Sequence, residues 1–141
     1  MPTISEARAE VQRGMQQLIA LVDRSSQQTA TEAEVALWSG VLHLGMSLMM
    51  LFFAHQAARW PTGSRYEVLG VGYRVEGAEF IEIGTKFGKV CVQQPVGRQV
   101  GRPRARRDLP RSRALGLPGG FTLPLVMLVA KFCALMAFAP T

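Results

Sequence analysis

Seven arginines fall within sixteen residues of this 141-residue chain: Arg98, Arg102, Arg104, Arg106, Arg107, Arg111 and Arg113. A guanidinium offers a planar fork of donors that matches phosphate oxygens two at a time. Each phosphate neutralised in this way also releases counterions, so the binding would weaken steeply with salt. No aromatic residue is interleaved among these arginines, which argues against stacking on bases and for contact with a phosphate backbone. Arg102, Arg104, Arg106 and Arg107 are the central candidates for DNA-backbone contact, with Arg98, Arg111 and Arg113 beside them. Lys86 and Lys89, on a glycine-bounded turn, would supplement the group. The same charges also fit an anionic lipid surface or a solvated loop without a dedicated partner.

The remaining reactive side chains form no comparable constellation. Glu67, Glu76, Glu79 and Glu82 alternate with apolar residues, the pattern of a solvated sheet face rather than of an acid–base pair. His43 and His55 lie twelve residues apart on one expected helix, too far to share a metal. Cys91 and Cys133 make neither a metal-type nor a redox pair, and are read as small buried residues of a protein in the reducing cytoplasm. The loop Gly116 to Gly120 is not followed by the Lys-Ser/Thr of a phosphate-binding P-loop. No nucleophile has a neighbouring base. Neither enzymatic activity, a cofactor nor a metal is expected.

Charge is segregated along the chain. Residues 1–97 carry eight Lys/Arg against nine Asp/Glu, whereas residues 98–113 carry seven Arg against one Asp. The net charge of +6 therefore belongs to one short stretch, the kind of stretch a polyanion contacts.

The elements that must hold this stretch can be read from periodicity. Thr3 and Glu6 fit a capping box that opens a helix with a stripe of Ile4, Val11, Met15, Leu18 and Val22. Ser25 to Ala30 reads as a polar linker. Thr31 and Glu34 repeat the capping pattern and open a long apolar helix through Ala58, closed by Trp60-Pro61-Thr62-Gly63-Ser64. Its stripe of Leu37, Val41, Leu44, Leu48, Leu51 and Phe52 favours a helix buried in a protein core. The 24 uncharged residues from Val35 to Ala58 also pass the length test for a membrane span. Beyond it the period falls to two, predicting four short strands at 65–69, 73–75, 79–83 and 89–93 with glycine turns between them. An irregular region follows from Pro95 to Arg113. Thr122 can cap a last helix, Leu123 to Phe138, which is apolar on nearly every side and calls for cover from elsewhere, so self-association through it is expected.

The expected architecture is α+β: a helical hairpin at 1–60, a small antiparallel sheet at 61–97, a basic and glycine-rich connection at 98–121, and a helical region from 122 to 141 whose continuation is missing. The competing arrangement is a small membrane protein with spans at 35–58 and 115–139 and the arginines as a cytoplasmic loop. Lys131 in the second span and Pro118-Gly119-Gly120 within it argue against that arrangement.

Gly84-Thr85-Lys86-Phe87-Gly88-Lys89-Val90, then Gln94-Pro95-Val96-Gly97 and Leu115-Gly116-Leu117-Pro118-Gly119-Gly120-Phe121, occur in an order that resembles bacterial insertion-sequence transposases of the Kra type, a DDE-type group. The resemblance runs from Glu32 to Ala139 and includes an apolar helix with a cysteine near its middle, here Cys133. It implies DNA transposition, with this chain contributing transposon-end binding rather than catalysis. The catalytic carboxylates of that group lie downstream in a ribonuclease H-like domain, so a truncated transposase is the expectation. Many relatives carry a cysteine-paired zinc ribbon where this chain has its arginines, and no zinc site is expected here.

Overall fold

Residues 2–24, 28–59, 63–102 and 106–137 are described by a computed structural model. The chain is α+β and divides into two units, Met1–Trp60 and Pro61–Thr141. The first is a pair of helices, α1 (Ile4–Asp23) and α2 (Ala30–Ala58). Thr3 caps α1 as expected: its hydroxyl accepts from the Glu6 amide at 3.2 Å, and the Glu6 carboxylate accepts from the Thr3 amide at 2.8 Å. The second helix starts earlier than its pattern suggested. Two overlapping Thr-x-x-Glu boxes compete, and Thr29–Glu32 closes rather than Thr31–Glu34. The earlier box lets Ala30 and Thr31 join the helix, adding propagation bonds once a nucleus exists.

Small residues, rather than large ones, set the seam between the helices. Ala7 and Gly14 are the buried positions of α1, and Gly45 and Ser47 are buried on α2. Leu18 seats against Gly40 and Leu44 against Gly14, so the helices run antiparallel at close approach. The Ser47 hydroxyl is satisfied by the His43 carbonyl at 3.1 Å. Several members of the two expected stripes consequently face outward: Met15, Val22, Val41, Leu48 and Phe52 are all exposed. The expectation that α2 is a core helix is corrected in the same way. It is 29 residues long, and only 11% of its most apolar stretch is buried. One partner helix covers one side of a helix that is apolar on every side.

The second unit is built on a three-stranded antiparallel meander, β1 (Arg65–Val68), β2 (Val71–Thr85) and β3 (Gly88–Gln99), in that order. Leu69 and Gly70 form the first turn, both at positive φ (52° and 76°), the backbone that a two-residue hairpin needs. The two middle strands expected from the sequence are one. Glu76-Gly77 does not turn the chain but makes a β-bulge between Val75 and Gly77, after which pairing with β3 resumes. Pro95 does not end regular structure either. It pairs with Ala78 on an edge strand, where a missing N–H costs no ladder bond.

The Thr85-Lys86-Phe87-Gly88 turn is closed by Thr85, whose hydroxyl donates to the Gly88 carbonyl at 2.8 Å and accepts from the Phe87 amide at 3.1 Å. Ile83, Val90, Val92 and Val96 form the buried apolar row, with the fully buried Gln94 among them accepting from the Ser112 hydroxyl at 2.8 Å. Past β3 the chain doubles back, and Gly97 and Asp108 exchange two backbone hydrogen bonds of 3.0 and 2.9 Å. A short α3 (Pro110–Ala114) and a 3-10 turn (Pro118–Gly120) lead to α4 (Leu123–Ala137). Before α4 begins, Phe121 bridges to Gly84 and the Thr122 amide donates to the Gly84 carbonyl at 2.9 Å. The two glycine-rich motifs, 84–90 and 115–121, thus pack on one another. Of α4 itself, Leu123, Met127, Val129 and Phe132 are exposed.

Trp60 to Thr62, Ser25 to Gln27, Arg104 and Phe138, all named in the sequence reading, lie outside the described residues. Cys91 and Cys133 are both exposed, against expectation. Cys91 alternates with buried Val90 and Val92 and so falls on the solvent face of β3, and Cys133 lies on α4, whose Leu123, Met127, Val129 and Phe132 are exposed as well.

Candidate polyanion-binding surface

The arginines do not form one loop. The fold sorts them into different environments. Arg98 is still in β3, its Nε 3.0 Å from Glu76 Oε1. Arg107 reaches the carboxylates of Glu76 and Glu79, each at 3.7 Å. Arg113 pairs with Asp108 at 3.1 Å while its side chain remains 69% exposed. Arg102 and Arg106 are exposed, as is Lys86 on the β2–β3 turn, and Lys89 pairs with Glu82 at 3.0 Å. Apart from the contacts of half-buried Glu76, these pairs are largely exposed and worth little to stability individually, so an incoming phosphate can displace them at small cost.

Arg111 is different. It is 5% exposed, with its guanidinium carbon 5.1 Å from the centroid of the Tyr66 ring. Burial draws its pKa down to about 10, an effect that Tyr66 opposes. Burial likewise pushes the Tyr66 hydroxyl up, against the nearby Arg111 charge. Tyr66 in turn stacks on Tyr73, ring centroids 5.8 Å apart. Arg111 therefore serves as a packing cation between α3 and the sheet. Its position inside a five-residue helix gave no hint of this, because burial was set by two tyrosines some 40 residues earlier.

Two residues that the sequence reading left aside belong with the basic group: Arg65 and Arg74. They line a shallow groove of about 200 Å³ with Arg98, Gln99, Val100 and Gly101. A second groove of about 390 Å³ is lined by Tyr73, Gln99, Arg106, Arg107, Asp108 and Arg113. Both meet at Gln99, the last residue of β3. Six arginines face these grooves against one lining carboxylate, Asp108. The signal for Arg65 and Arg74 was present in the hairpin: strands that pair Tyr66 with Tyr73 must pair Arg65 with Arg74.

Elsewhere the chemistry is sparse. Among the described residues no three His, Cys, Asp or Glu are grouped to hold a metal. His43 Nε2 lies 3.9 Å from Glu10 across the helical pair, an exposed contact. The chain matches no protein-family model, no curated protein and no solved structure.

Proposed function

We propose that this chain is a non-catalytic DNA-binding part of an insertion-sequence transposase, acting in the cytoplasm and gripping duplex DNA by its phosphate backbone. The single observation that carries the reading is the pair of grooves meeting at Gln99, where six arginines face one carboxylate. Arg65, Arg74 and Arg98 are carried on paired strands, and Arg106 and Arg107 on the segment that returns to Gly97. Their backbones are thus placed by the sheet, and guanidiniums so placed can pair with phosphates. The resemblance to the transposases supplies the biological setting, and two of the segments that carry it, 84–90 and 115–121, touch through the Gly84–Phe121 bridge.

An electrophoretic shift assay with random-sequence duplex at low salt tests the proposal. Retardation by the wild-type chain, lost when Arg102, Arg106 and Arg107 are changed together to Ala, is the expected result. No retardation, or retardation indifferent to the triple change, would remove it.

One observation favours the membrane alternative: α2 is long and apolar enough to cross a bilayer, and only 11% of its most apolar stretch is buried. The second span of that alternative, 115–139, is weakened by the fold. Leu117 is buried and Thr122 is hydrogen-bonded to β2. Carbonate extraction of membranes from expressing cells decides between them, since a spanning chain stays in the pellet.

A further inference from the structure

Arg65, Arg74 and Arg98 stand opposite one another on β1, β2 and β3: the register pairs Arg65 with Arg74, and Arg74 with Arg98. Residues directly opposed across a sheet share a face, so three guanidinium side chains leave the same side within two strand spacings, about 10 Å. Like charges in this arrangement destabilise a sheet. One carboxylate offsets them. Glu76, the extra residue of the bulge, lies 3.0 Å from Arg98 Nε and 4.0 Å from Arg74 Nη2. It is shared further with Arg107 at 3.7 Å, so a single charge serves three guanidiniums. The groove above the row is lined by Arg65, Arg74 and Arg98 with Gln99, Val100 and Gly101, and among the described residues no carboxylate lines it.

We infer that the cross-strand row Arg65–Arg74–Arg98 is a phosphodiester-binding site in which Glu76 holds the arginines until a nucleic-acid backbone takes them over. The site deepens the DNA-binding reading and rests on it. A duplex presents about one charge per 1.7 Å of axis, so a 10 Å row faces several phosphates at once. Glu76 has two consequences. It lowers the cost of placing three like charges side by side in the free protein, and it competes with the ligand for them. Removing the carboxylate therefore tightens binding, whereas removing arginines from the row loosens it.

The test is fluorescence anisotropy of a labelled random-sequence duplex titrated with the full chain. Four proteins are compared: wild type, Arg65→Gln/Arg74→Gln, Glu76→Gln, and the control Arg8→Gln/Arg13→Gln on α1, which makes the same change in charge at residues that line neither groove. The row double variant is expected to bind roughly tenfold more weakly, and its slope of log affinity against log salt to be shallower by about two. The control should bind as wild type. Glu76→Gln should bind more tightly, a gain that misfolding cannot mimic. The site is overturned if the row variant matches wild type, if the control weakens equally, or if Glu76→Gln weakens binding. A wild-type chain that binds no duplex, or that prefers phosphatidylserine vesicles to duplex, overturns the DNA reading and the site together. Wild-type binding with an indifferent row variant overturns the site alone.

Discussion

The Tyr66 hydroxyl lies over Gly97: a Cβ added to the glycine would sit 2.6 Å from that oxygen, and 3.3 Å from the Arg74 carbonyl. This contact locks β1 against β3 one residue away from the arginine row. Gly97→Ala is expected to destabilise the sheet unit by about 1–3 kcal/mol through overpacking. Urea unfolding followed by circular dichroism measures it, and adding Tyr66→Phe should recover part of the loss. An unchanged midpoint in Gly97→Ala would show that the contact is not close.

Glycines of the two units should respond with opposite signs. A Cβ at Gly84 would meet the Phe121 ring at 2.5 and 2.9 Å, and the Leu125 side chain at 3.2 Å. Gly84→Ala is expected to cost about 1–3 kcal/mol and to loosen the junction of the two glycine-rich motifs. A Cβ at Gly14, inside α1, has ordinary contact at 3.4 Å from Leu44. Gly14→Ala should stabilise the helical pair by up to about 1 kcal/mol, the usual helical preference for alanine. Thermal unfolding of the two variants would settle both signs.

Arg111 separates packing from binding within one cluster of arginines. Arg111→Ala should lower stability by roughly 2 kcal/mol or more through loss of its stacking on Tyr66 and of buried contacts. Arg102→Ala should leave stability within about 0.5 kcal/mol, as an exposed position does. The opposite ranking is expected in DNA affinity for protein that remains folded. Paired unfolding and anisotropy measurements on both variants would expose an inverted assignment.

The two capping boxes give the helical pair an acid limit. Hydrogen bonds from Thr3 and Thr29 hold the carboxyls of Glu6 and Glu32 below their ordinary value of 4.5. A depressed folded pKa means that the stabilisation is fully present above pH 4.5 and is lost as pH falls through the folded value. Helical circular dichroism should therefore decline below about pH 4.5, and Glu6→Gln/Glu32→Gln should flatten that part of the curve. A double variant with the wild-type acid profile would contradict the capping role.

Much of the framework was legible because local chemistry decides it. The Thr3–Glu6 box, the shift of period from helical to two after Gly63, and the glycines bracketing Lys86-Phe87 all act within a few residues. What was not legible depends on partners distant in the chain. Glu76-Gly77 reads as a turn until β3 is there to continue the ladder past it, and Pro95 reads as a breaker until its strand lies on an edge. The seam of the helical pair was misassigned because large apolar residues are the visible signal, while the closest approach is granted by Gly40, and the buried positions beside it are small ones such as Ala7 and Ser47. In the basic group, the density of arginine was plain in the sequence, but its division was not. Tyr66 buries Arg111, Glu76 gathers Arg98 and Arg107, and Arg65 and Arg74 enter the group only through strand register.

Phosphate contact by the grooves at Gln99 has one direct readout, the salt dependence of duplex binding by the full chain. Titration of a labelled random-sequence duplex at stepped potassium chloride should give log affinity falling linearly with log salt. With four or more phosphates engaged, at about 0.9 per phosphate, the slope should be near −4 or steeper. Affinity that stays level as salt rises, or no binding in low salt, would contradict it.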